Sequence, residues 1–213
     1  MKTRRLTKTQ ARSSRAMVGR TGSNPHIWLS ALVLAVLALG ATPAVRTQRP
    51  SVAEEYEVKA AYVFNFANFV TWPASAFASP TSPVVIGVAG DGPLEEPLVR
   101  MIRGETINGR PVVVRRVART DEMKPCHILF VGANESRQHA RSLTELRNSP
   151  VLTVGEAEDF LISGGMVRLV VTNNNRVVFD VNLDAASRAG VRLSARLLMV
   201  ARRVFGNTRG TGQ

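Results

Sequence analysis

Residues 173–198 read NNNRVVFDVNLDAASRAGVRLSARLL, and their order decides how the C-terminal half folds. Asn173-Asn174-Asn175 predicts a turn, because Asn tolerates the left-handed backbone that a tight hairpin needs. Val177, Phe179 and Val181 then alternate with Val178, Asp180 and Asn182, the period-two pattern of a strand. Asn182 or Asp184 can cap a short helix that stops at Gly190, where glycine removes the steric cost of a left-handed C′ residue. Ser194 can cap a final helix over 195–205, whose Leu197, Leu198, Val204 and Phe205 recur at helical spacing. This order carries Asp180, Asn182, Arg188 and Arg192 around one corner. By residue type alone they read as caps and solvated charges.

Working outward, residues 166–171 form the other arm of the hairpin. Apolar runs at 84–89, 111–117, 126–131 and 151–154 read as strands, and the run 126–131 looks buried on both faces. Between them lie helices at 94–102 and 136–147, turns at Asp91-Gly92 and Asn108-Gly109, and a helix or turn over 155–163. Upstream, 54–72 reads as a helix with Glu54, Glu55 and Glu57 in its first turn and Val58, Ala61, Tyr62, Asn65, Phe66 and Phe69 at three-and-four spacing, ended by Pro73. Strands alternating with helices and closed by a hairpin predict one layered α/β domain: a mixed sheet flanked by helices, with a C-terminal hairpin followed by a helix.

Residues 27–39 are apolar and uncharged, and the only charged residues before them are Lys and Arg. The run is short for a membrane span, which needs roughly 20 residues. It fits the apolar core of a secretory signal, with cleavage expected after Gly40 or, alternatively, Ala44. The expected organisation is a signal over 1–40, a linker over 41–53, a domain over 54–205 and a tail over 206–213. The formal charge of +12 comes from 28 basic and 16 acidic residues, but seven of the bases lie in the leader. The mature part keeps 21 bases against 16 acids, or +5, with no basic run interleaved with aromatics. Nucleic acid is therefore disfavoured as a partner.

Recognisable catalytic patterns are missing from the sequence. There is no CxxC, HExxH, EF-hand spacing or Gly-x-Ser-x-Gly elbow, so neither a metal nor a nucleophile is expected. Cys126 and His127 are neighbours on a strand, point to opposite faces and cannot share a metal. Residues 87–92 hold a glycine cluster that reads as a strand-to-helix turn rather than a phosphate loop. Cys126 is the only cysteine, which excludes an internal disulfide and suits a small buried hydrophobe. No cofactor and no enzymatic activity are expected.

Two blocks carry a resemblance: 55–73, EYEVKAAYVFNFANFVTWP, and 176–198, within the stretch quoted above. Between them GETINGRPVVVRRV at 104–117, CHILFV at 126–131, residues 151–154 and Gly164-Gly165-Met166 follow in order. This ordered set resembles the YfiR family of small periplasmic proteins over most of the mature chain. The resemblance implies a non-enzymatic repressor of an inner-membrane signalling protein, typically a diguanylate cyclase with a periplasmic sensor domain. It also implies control of cyclic di-GMP and biofilm, release by an outer-membrane lipoprotein, and a homodimer. Carried over by position, Asp180 and Asn182 fall on a partner-facing surface, and Arg192, with Arg188, lines a small-ligand pocket. The helix over 54–72, with Phe66, Phe69 and Trp72, would supply apolar contact area, although such an aromatic stripe is also what a core helix looks like. The chain departs from the family in lacking a second cysteine and in carrying Ser194 where a more strongly polar ring would meet a ligand. A periplasmic module that binds a small molecule and reports to a sensor kinase is the alternative. It predicts that a small carboxylate raises the melting temperature.

Overall fold

The computed structural model describes residues 51–90 and 92–206. The expected signal, residues 41–50 of the linker, Asp91 and the tail from 207 lie outside the described residues. Helix α1, Val52–Phe66, starts where Ser51 accepts from the Glu54 amide while the Glu54 carboxylate accepts from the Ser51 amide, a reciprocal capping box. The helix thus begins before the expected residue 54 and takes in the end of the expected linker.

It also stops earlier than the expected residue 72. A 3-10 turn over Ala67–Phe69 leads into strand β1, Val70–Thr71. The aromatic spacing runs on through Phe69 although the backbone has already left the α conformation. Pro73 therefore does not end the helix.

Strands β2 (Val84–Ala89), β4 (Arg110–Val117), β5 (Ile128–Val131), β6 (Leu152–Gly155) and β7 (Val167–Val171) lie parallel, in the spatial order β4-β2-β5-β6-β7. Strand β3, Thr106–Ile107, adds antiparallel beside β4, and β8, Val177–Asn182, folds back beside β7. Helices α2 (Glu95–Met101), α3 (Thr120–Met123) and α4 (Ser136–Glu145) make the connections. The sheet buries both faces, as parallel sheets must. Val84, Ile86, Val88, Ile128 and Phe130 face α1, while Val85, Ala89, Leu129 and Val131 face Met123, Leu143 and Leu146.

At one edge of this second core the Phe160 ring lies between Gly155 and Gly165. A Cβ on either glycine would land inside the ring's van der Waals surface.

The C-terminal part corrects one expectation. Helix α5, Leu183–Arg188, is capped by Asn182 and followed by Gly190 at φ +70°. Strand β9, Arg192–Leu193, pairs antiparallel with β1. Helix α6 then covers only Ala195–Val200, not 195–205. Ala201 is extended at ψ 141°, and Arg203–Phe205 form strand β10, parallel to β8 at the sheet edge. Edge pairing overrides a helical spacing that Val204 and Phe205 satisfy only by coincidence.

Candidate functional site: an apolar groove beside a buried ion node

Between α1 and α6 runs a groove of about 200 Å³, lined by Val58, Ala61, Tyr62, Phe69, Leu197 and Val200 among others. Phe66 and Phe179 form its floor, with ring centroids 5.1 Å apart and near-perpendicular planes, the edge-on packing that aromatic quadrupoles favour. The polar groups in the lining are tied up: the Asn65 amide donates to the Ala61 carbonyl at 2.8 Å and the Tyr62 hydroxyl to the Val177 carbonyl at 3.1 Å. Val200, in the groove wall, is 70% exposed. Arg196, one helical turn before Val200, is also exposed.

The expected partner residues separate in space. Phe66 is buried and Phe69 half-buried, both along the groove. Trp72 is 9% exposed, its indole N–H donating to the His127 carbonyl at 3.1 Å, so it belongs to the core. Asp180, expected on an exposed partner-facing surface, is fully buried. Arg202 donates to both its oxygens, at 2.8 and 2.5 Å, and Arg168 donates at 2.9 Å.

Burial by itself would push the Asp180 carboxyl up. The hydrogen bonds from Arg202 and Arg168 more than offset it and hold the group below the usual carboxylate range. Asn182 is half-buried, with both ends of its amide engaged: it accepts from the Ala185 amide and donates to the Leu161 carbonyl. Arg188 and Arg192 are exposed, on α5 and β9. The corner the sequence suggested is thus split, because the Asp180 carboxylate is taken up by Arg168 and Arg202.

A second polar cluster went unnoticed in the sequence. In a doubly wound sheet, ligands sit at the carboxyl ends of the strands where strand order reverses, here beyond Ala89 and Val131. Glu55, Tyr56, Lys59, Ala133 and Glu156 border an open polar cavity of about 510 Å³ there. The Glu135 side chain packs against Gly90, and the Ala133 amide faces Glu156. Glu156 pairs with Lys59, which also pairs with Glu55, and accepts from the Tyr56 hydroxyl at 3.1 Å. Lys59 is only 5% exposed. Burial would lower its pKa, but the hydrogen bonds to Glu156 and Glu55 outweigh that and raise it. The sequence signal for this cluster is faint: one lysine within the apolar face of α1.

Cys126 is buried beside Gly87, and burial pushes its thiol up to about 11. That makes it an inert core group rather than a nucleophile. Among the described residues no cluster of His, Cys, Asp and Glu could hold a metal, and no helix is long and apolar enough to cross a membrane.

An open apolar groove on a layered α/β domain is the kind of surface that binding proteins present. The YfiR/HmsC-like family model matches residues 56–202, and the chain belongs to that family. Its members are periplasmic, regulatory and non-catalytic, and act with a membrane partner in diguanylate cyclase signalling.

Proposed function

We propose that this chain is a periplasmic repressor that docks on the periplasmic part of an inner-membrane diguanylate cyclase and thereby lowers cyclic di-GMP and biofilm formation. The observation that carries the reading is the groove between α1 and α6, with Val200 standing exposed in its wall. Soluble proteins leave contiguous apolar surface open chiefly where something binds. Phe69 and Val200 would make the contact over the floor of Phe66 and Phe179, and exposed Arg188 and Arg192 would add polar specificity. Asp180 and Asn182 would act indirectly, by fixing Arg202 and the start of α5.

Repression then follows from affinity alone: the chain must bind the inactive cyclase more tightly than the active one. Burying a side chain such as Val or Met is worth about 1.5–3 kcal/mol. Val200→Asp should therefore weaken binding to the purified cyclase periplasmic domain at least about tenfold. Unaltered affinity for this variant would remove the groove from the reading. An outer-membrane lipoprotein competing for the chain would release the cyclase.

A further inference from the structure

We propose that His127 is an acid-sensitive latch: its neutral ring holds residues 73–83 on the sheet, and protonation lets them go. Both ring nitrogens have partners that fix one tautomer. The Val85 amide donates to Nδ1 at 3.1 Å, so Nδ1 carries no proton. Nε2 lies 3.1 Å from the Ala76 carbonyl, which can only accept, so Nε2 carries the proton. Adding a second proton would set an N–H on Nδ1 against the Val85 N–H and break that bond.

The ring also anchors Phe77, stacked on it at 4.3 Å between centroids, and the Arg110 guanidinium lies 3.9 Å over the far face of Phe77. Arg110 in turn donates to the Ser79 and Ser82 carbonyls at 2.9 and 2.8 Å. Residues 76, 77, 79 and 82 are thus held by one His-Phe-Arg stack. The neighbouring elements contribute Trp72, Ala76, Val85 and Leu152, none of them titratable. Arg110 is the only charged group found against the stack among the described residues. An imidazolium would face that cation across one ring, with no carboxylate to balance it.

Burial moves the imidazole below its ordinary 6.5 and Arg110 adds to this, while the Ala76 carbonyl pulls the other way. The folded state therefore favours the neutral ring. The latch is closed above about pH 6.5 and opens as pH falls through the lowered value. A periplasmic protein meets the pH of the medium, so the range is accessible. Phe69, three residues before Trp72, lines the groove; that acid would also loosen the groove's end rests on the docking reading above, whereas the latch itself does not.

The test is amide hydrogen exchange by mass spectrometry on the full chain without any partner, from about pH 7.5 to about pH 5, corrected for intrinsic exchange rates. Opening of residues 73–83 should rise below about pH 6.5, by up to about tenfold per pH unit for one linked proton. Strands β5 and β7 should stay protected. His127→Asn offers an acceptor near Nδ1 without titrating there, and should flatten the response. Equal opening at both pH values, or the same slope in the variant, overturns the latch. If His127→Asn does not fold, an NMR titration of the His127 ring in the wild-type chain decides: a midpoint below 6.5 that coincides with opening supports it, and a midpoint at or above 6.5 overturns it.

Discussion

Replacing Asp180 by Asn removes one charge from a node of three. The carboxylate is fully buried, while the Arg168 and Arg202 side chains keep 17% and 31% exposure. The substituted amide can still accept at its one oxygen, but two guanidiniums then face each other without a counter-charge. Breaking a fully buried pair costs about 3–5 kcal/mol. Both arginines reach solvent, so we take the effect as about 2–3 kcal/mol after screening.

For a domain of this size that lowers Tm by roughly 5–10 °C. Thermal and urea denaturation of the purified mature chain read it directly. The sign with pH is fixed by the lowered carboxyl value: the folded state favours the ionised group. Its contribution is present above the unfolded value near 3.8 and lost as pH falls through the folded one. The gap between wild type and Asp180→Asn should therefore begin to close only below about pH 3.8 and vanish below the lowered folded value. A variant within about 2 °C of wild type at neutral pH would refute the node as a stabilising element. Asp180→Lys, which places three cations together, should be worse, and its effect on partner binding would then report lost folding as well as a lost contact.

Three further outcomes follow from buried groups. Lys59→Met leaves the Glu156 carboxylate, 6% exposed, without its cation, and should cost about 3 kcal/mol in urea unfolding; Lys59→Met with Glu156→Gln should recover most of it. Gly165→Ala drives a methyl into the Phe160 ring and should cost about 3 kcal/mol, whereas the same change in a Phe160→Ala background should be nearly neutral in a double-mutant cycle. Cys126, with its thiol near 11, is about one part in a thousand thiolate at pH 8, so a thiol reagent should label it only as the chain unfolds.

The central parallel strands were legible as short apolar runs, which burial on both faces requires, and the hairpin by its Asn turn and the period-two pattern of 177–182. Val84–Ala89 alternates between the two cores residue by residue, which the apolar run already implied. Asn182 as the cap of α5 was legible because its side chain acts on its own helix. Asp180 was not, for a tertiary reason. Period two correctly put it opposite Val177, Phe179 and Val181, on the face that in an isolated hairpin meets water. In the folded chain that face is covered by Arg168 and Arg202.

Arg168 was within reach of the sequence, because counting outward from the Asn173–Asn175 turn sets it directly across from Asp180. Arg202 was not, since its position depends on the chain leaving α6 at Ala201 and joining the sheet edge. Phe66, Phe69 and Trp72 read as one aromatic stripe because the spacing says nothing of the 3-10 turn that sends Trp72 into the core. The exposed groove wall at Val200 was hidden for the opposite reason. The predicted longer helix gave that residue no reason to stand exposed.

The most direct test of repression through the groove is cellular cyclic di-GMP in a strain lacking this chain, complemented with wild type or Val200→Asp at equal protein level. The account predicts a rise on deletion, reversal by the wild-type chain and no reversal by Val200→Asp. An unchanged level on deletion, or full reversal by the variant, would contradict it.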